Sequence, residues 1–217
     1  MTVKMRALQA VRAGVVLSCL FPTLFTPRIL HAASEATDRA VETVRSLASD
    51  IWSIRDGHAD PDRRMQQLAR AIEGSTNVDL LSRLVLGRHW RSLSSTDHQE
   101  YKTLFSRVVI GGLAVRLHSL LHELDGRLDQ HFAITNSTTA GKKDILVRSK
   151  VMAADGQPLS VDWRLRALEK QPVIIDLIIE GVSLLVSQRA EFAAVIERSR
   201  VDGLIEALRR RARASDF

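Results

Sequence analysis

The sequence predicts an α+β protein: one antiparallel sheet of four strands together with about six helices. Three observations carry this reading. Apolar residues recur every three or four positions from Ser34 to about Asp125, the period drops to two after Gly126, and helical spacing returns from residue 187. The connections Asp155-Gly156 and Glu169-Lys170-Gln171 have hairpin length, so at least the last three strands form an antiparallel meander. The 217 residues are 45% hydrophobic and 26% charged, with no internal repeat and no low-complexity linker, which is the composition of one globular domain.

The N-terminus reads as a cleaved secretory signal over residues 1–33. Lys4, Arg6 and Arg12 precede an apolar stretch from Ala13 to Phe25, and small residues come next at Ala32, Ala33 and Ser34. Cys19, the only thiol, lies in Val16-Leu17-Ser18-Cys19, a string like a lipoprotein signal, but the six residues after Arg12 are short for an apolar signal core. Cleavage near Ala33 leaves no Cys and excludes thiol catalysis, thiolate metal sites and disulfides. The removed part holds four basic residues and no acid, so the formal charge falls from +6 to +2. That near balance argues against nucleic acid as a partner, and six Arg of the remaining chain crowd into the last 20 residues. Beyond residue 33 the most apolar run, Val173 to Ile179, is seven residues and carries Asp176, too short to span a bilayer. The expected location is a bacterial periplasm.

The helical part, 34–125, opens with Val41, Val44, Leu47, Ala48, Ile51 and Trp52 on one face. Asp60-Pro61 starts a second helix carrying Met65, Leu68, Ala69 and Ile72, which Gly74 stops, and a short third runs from Asn77 to Leu86. Ser94-Ser95-Thr96 with Gln99 and Glu100 forms a capping-box signature. It opens a long helix striped by Tyr101, Leu104, Phe105, Val108, Leu113, Leu117, Leu120 and Leu124. Gly111-Gly112 inside it requires a kink or a close packing partner. Strands occupy 130–180: Phe132 and Ile134, Ile145 to Met152, Val161 to Ala167, and Val173 to Ile179. Val161, Trp163, Leu165 and Ala167 alternate with Asp162, Arg164 and Arg166, so that strand has one wet face. The last strand is apolar on much of both sides and belongs near the sheet's centre. Two helices close the chain over 186–213.

Few constellations carry chemistry. His118 and His122 share a helix face, but Ser119 stands where a zinc protease needs Glu, so no metal is expected. Gly181-Val182-Ser183 resembles a nucleophile elbow, yet Leu185 replaces the second small residue of that sharp turn, so Ser183 reads as a cap. Asp144, Asp162 and Asp176 lie on different strands and read as structural. Arg209, Arg210, Arg211 and Arg213 suit a helix C-terminus, or an anionic surface.

Two segments add up to a resemblance. One is Leu84-Val85-Leu86-Gly87-Arg88-His89-Trp90-Arg91 followed by Thr96-Asp97-His98-Gln99 and Phe105. The other is Ile175-Asp176-Leu177-Ile178-Ile179-Glu180-Gly181-Val182-Ser183-Leu184-Leu185, with Gln188-Arg189-Ala190-Glu191-Phe192 and Val201-Asp202-Gly203-Leu204-Ile205 after it. The chain resembles, over most of residues 35–211, the MlaC/Ttg2D family of periplasmic phospholipid carriers, the toluene-tolerance auxiliary proteins. The resemblance implies a cystatin/NTF2-like sheet wrapped by helices around an apolar lipid cavity, in a single domain over 34–217. It also implies a carrier that moves phospholipid between an outer-membrane lipoprotein-porin complex and an inner-membrane ABC transporter with an MCE-domain subunit, maintaining outer-membrane asymmetry. No cofactor, metal or catalytic residue is implied. A hopanoid-type cargo, an adaptor without cargo, or an isomerase-like enzyme using Asp176 are the other readings.

The buried strand faces and the long-helix stripe suggest lining residues for such a cavity: Phe105, Val108, Leu113, Leu117, Val147, Val151, Val161, Trp163, Leu165, Ile175 and Leu177. Gly87, Trp90, Asp176, Gly181, Arg189 and Phe192 match motif positions of the family and read as structural clasps, with Arg189 expected to pair with Asp176 or Glu180.

Overall fold

The computed structural model describes residues 28–57, 60–169 and 171–214. The signal segment falls largely outside them. Helix α1 spans Arg28–Asp56 and α2 Pro61–Ser75. Asp60 caps α2 by accepting the Arg63 N–H at 3.0 Å, with Pro61 in the first turn where its missing donor costs nothing. Asn77 does the same for α3, Val78–Leu86, accepting from Leu80 at 2.9 Å. A 3₁₀ turn, Gly87–Ser92, leads to α4, Ser95–Phe105. The capping box of α4 pairs Ser94 with Asp97 rather than with Gln99 or Glu100.

The long helix does not keep one phase. Ser106–Ile110 forms a π turn between α4 and α5, Gly111–His122. A π turn inserts one residue and rotates the rest of the helix by roughly 100°. The buried positions run Tyr101, Phe105, then Ile110, Ala114 and Leu121, with a step of five across the turn. Val108, expected on the same stripe as Leu113 and Leu117, therefore faces elsewhere. Ser106–His122 together with α4 is long and apolar enough, by length and composition, to cross a membrane, with mean hydropathy 1.4 over its richest window. Arg107 and Arg116 interrupt the stretch, so it contains no long unbroken apolar run in the sequence. In the fold it serves two hydrophobic cores, one at each end.

A short α6, Leu128–His131, leads into the sheet, whose strands lie in chain order: β1 Phe132–Ala140, β2 Asp144–Met152, β3 Pro158–Arg166, β4 Val173–Ile179 and β5 Val182–Ser183. All neighbours are antiparallel. Among the described residues the sheet thus has five strands, not four. The fifth is two residues long and returns through Glu180-Gly181, where φ is 48° and 81°, the pair of positive values a type I′ hairpin requires. Two residues are too few to show alternation in sequence. A bulge shifts the β3–β4 register, with Arg164 opposite Asp176 and Leu165 opposite Ile174, so that Ile175 is the extra residue. Helix α7, Leu184–Ala214, is broken at Arg200 (φ 62°, ψ −176°) into the two helical runs the sequence predicts.

The outer sheet face carries the charges. Asp144 is buried between Arg164, at 2.8 Å from Nε, and Arg166. Burial pushes the Asp144 carboxyl up, but the Arg166 and Arg164 guanidiniums outweigh it and hold it below the ordinary carboxylate value. A depressed folded-state value means stability that is complete above the unfolded value of about 3.9 and lost as pH falls through the folded one. Asp144→Asn should cost about 1–2 kcal/mol at neutral pH and remove that part of the decline in acid, read by urea unfolding across pH 2–7. An unchanged acid limb in the variant would show that Asp144 is not one of its causes. At the chain's end Arg209 is held by Glu100 at 2.7 Å and by Glu206, Arg210 pairs with Glu206, and Arg211 with Glu191 at 2.8 Å. The basic terminus is thus substantially neutralised within the fold.

Candidate functional site

The inner sheet face and three helices enclose the larger core. Ile145 and Val147 from β2, Val161, Trp163 and Leu165 from β3, and Ile174 from β4 meet Val44, Leu47, Ile51 and Trp52 of α1, Leu68 and Ile72 of α2, and Ile110, Ala114 and Leu121. A polar contact buried in the sheet is self-contained: Trp163 Nε1 donates to Ser149 Oγ at 2.9 Å, and that hydroxyl donates to Val161 O at 2.8 Å. Around this core lies a rim of half-buried apolar side chains, Leu113 and Leu117 on α5, Phe132 and Ile134 on β1, Val151 on β2 and Leu177 on β4. Half-buried apolar groups converging on one core are the surface through which a hydrophobic chain could enter between helix and sheet.

Of the eleven lining residues suggested by the sequence, eight come together here: Leu113, Leu117, Val147, Val151, Val161, Trp163, Leu165 and Leu177. Three do not. Phe105 and Val108 belong to a second core, with Val85, Leu86 and Leu93, Tyr101, Phe192, Ile196, Leu204, Ile205 and Leu208, because the π turn separates them from the α5 face. Ile175 is buried at the β-bulge and sits in neither cluster. Val147 is fully buried in mid-sheet, so a charge there would unfold the protein instead of emptying a site.

The motif residues form a separate clasp. Gly87 caps α3 at φ 60°, and Arg189 lies beside it, donating from Nε to Leu84 O at 2.9 Å and from a second nitrogen to the same carbonyl. Arg189 therefore does not pair with Asp176 or Glu180: a helix C-terminus leaves carbonyls without partners, and the guanidinium fork satisfies one. Arg189→Ala should cost about 1–2 kcal/mol in urea unfolding, and no loss would mean that Leu84 O finds water equally well. Asp176 instead accepts from the Ser183 hydroxyl at 2.6 Å and the Leu185 N–H at 2.9 Å, while Ser183 Oγ accepts from Val186 N at 3.0 Å, capping α7. Trp90 stacks on His98 at 4.2 Å between centroids and lies 6.2 Å from Tyr101, which donates to Ser82 O at 3.2 Å; burial pushes the Tyr101 hydroxyl's pKa up. Phe192 meets Tyr101 edge-on at 6.4 Å.

The chain matches the family model described as MlaC protein over residues 42–210. It belongs to the MlaC family. Among solved structures, this MlaC-family chain is similar to a phospholipid-binding protein from Ralstonia solanacearum in complex with a phospholipid. The identity is 22%, the TM-score 0.66, and the match covers 82% of this chain and 97% of that one. No curated protein matches it. The α+β fold and the antiparallel meander are those of this family, with β5 added to the four strands read from sequence.

Around His118 and His122 of this family member, among the described residues, no group of three potential metal ligands comes together. Burial pushes the His118 pKa down, helped by the positive Arg64 on α2 and by His122. An open groove between α1 and α2 is lined by Asp50, Ser53, Ile54, Gln67, Arg70 and Ala71.

Sequence reading missed a polar cluster at the end of the larger core. The Arg55 guanidinium lies 3.8 Å from the Trp52 ring centroid, and His131 stacks on Trp52 at 5.3 Å. The 124–126 turn holds both partners: Arg55 donates to Leu124 O at 3.1 Å and Gly126 O at 2.6 Å, and His131 Nε2 donates to Asp125 O at 2.6 Å. Trp52 fits the α1 stripe as an ordinary core residue, and the carbonyls that anchor Arg55 lie 69 and 71 positions along the chain, so no local pattern marks the cluster.

Proposed function

We propose that this protein is a periplasmic lipid carrier. In this reading it takes phospholipid acyl chains between α5 and the inner sheet face and shuttles them between an inner-membrane ABC transporter with an MCE-domain subunit and an outer-membrane lipoprotein-porin complex, maintaining outer-membrane asymmetry. The observation that carries it is the half-buried apolar rim of Leu113, Leu117, Phe132, Val151 and Leu177 around an apolar core. The family and the phospholipid described in the Ralstonia protein support the choice of cargo. Each acyl CH₂ leaving water gains about 0.8 kcal/mol, so a long chain crosses an aqueous compartment only inside such a pocket. Pocket and bilayer are similarly apolar, hence transfer is nearly balanced and its direction comes from the partner complexes.

A binding role fits the chemistry better than catalysis. Asp144 and Asp162 are paired with arginines, and Asp176 and Ser183 are spent capping α7. The N-terminal signal reading supports the periplasm. The test is transfer of a fluorescent phospholipid from donor to acceptor vesicles. A rate rising in proportion to protein is expected, whereas a rate no faster than spontaneous exchange would contradict a carrier. Faster exchange of a hopanoid probe than of phospholipid would reassign the cargo.

A further inference from the structure

The Trp52 ring is held on α1 by Arg55 and His131, yet its N–H donates to nothing among the described residues although Trp52 is only 9% exposed. His131 Nδ1 beside it is also buried and without a partner among them. Buried indole N–H groups are normally hydrogen-bonded, because an unmet donor in an apolar surrounding costs roughly as much as a lost hydrogen bond. The contrast within the same core is direct: Trp163 has its Ser149 partner at 2.9 Å.

Resting on the carrier reading, we propose that Trp52 Nε1 is the polar contact of the lipid site, donating to an acceptor oxygen in the glycerol region of the bound lipid. The placement fits. Trp52 is part of the core that Leu117, Phe132 and Val151 rim, and α6 and the start of β1 lie beside it. In this proposal acyl chains lie along the apolar core and their ester groups reach the donor. A fixed ring with one donor offers orientation at little entropic cost, since the clamp of Arg55 and His131 holds it before the lipid arrives. An ester carbonyl and a phosphate oxygen are both acceptors that suit the indole.

The test monitors the three Trp indole ¹H–¹⁵N resonances of the purified protein, assigned by single Trp→Phe variants, during titration with dioleoyl phosphatidylglycerol or its di-ether analogue. The Trp52 signal should move downfield on loading while that of Trp90, which packs on the second core, stays nearly fixed, and Trp52→Phe should weaken uptake about tenfold. A shift with the ester lipid alone assigns the ester carbonyl, and a shift with both assigns a phosphate oxygen or the oxygen that links chain to glycerol. Loading by the parent protein with an unmoved Trp52 signal and an unweakened Trp52→Phe variant would overturn this contact and leave the carrier reading intact. A parent protein that takes up neither lipid would overturn both. The parent's spectrum decides even if the variant fails to fold.

Discussion

Leu117→Glu should give a folded protein that carries no lipid. Leu117 lies on α5 at the rim of the larger core and is half-buried. In the lipid-free protein a glutamate there swings its carboxylate to water and keeps its stem on the apolar surface, so stability should change by no more than about 1–2 kcal/mol. Against acyl chains that escape is closed, and an ionised carboxylate left in hydrocarbon costs several kcal/mol. The lipid extracted per mole of purified protein should therefore fall at least about tenfold. Equal lipid content in variant and parent would remove α5 from the site's wall.

Phe192→Ala should do the reverse. Phe192 is buried in the second core, edge-on to Tyr101, outside the cluster that the rim residues surround and joined to it through the α4–π–α5 helix. Truncating a buried Phe leaves a cavity and costs about 3–5 kcal/mol, read as a lowered urea midpoint with an unchanged slope. Under conditions where the variant is still folded, its lipid content should equal the parent's. Lipid lost ahead of structure would mean that the second core belongs to the binding site, and that Phe105 and Val108 line it after all.

These paired outcomes reflect a division that the sequence does not display. The periodicities were sufficient for α2, α3, α4 and the central strands, where caps at Asp60, Asn77 and Ser94 and alternation through Val161–Ala167 are local signals. The second half of β1, Asn136–Ala140, is polar and mostly exposed at the sheet's edge, so hydrophobic alternation is absent where the strand is present. The two residues of β5 and the four of α6 are shorter than the periods that would reveal them.

The site divides in the same way. Residues on a strand keep their face as long as the register holds, and Val147, Val151, Val161, Trp163, Leu165 and Leu177 meet as alternation predicts. Ile175 drops out at the bulge, and Phe105 and Val108 drop out at the π turn. Both irregularities insert one residue into a regular pattern, and both are set by tertiary packing. The ties from Arg189 to Leu84, and from Arg55 and His131 to the turn after α5, span from six to 105 positions and leave no spacing to find.

The most direct test of the central claim is native mass spectrometry of the protein purified from a bacterial periplasm, with extraction of whatever it holds. The carrier account predicts a stoichiometric adduct that releases a two-chain phospholipid. A protein that is empty when isolated, and that stays empty after incubation with phospholipid vesicles, would contradict it.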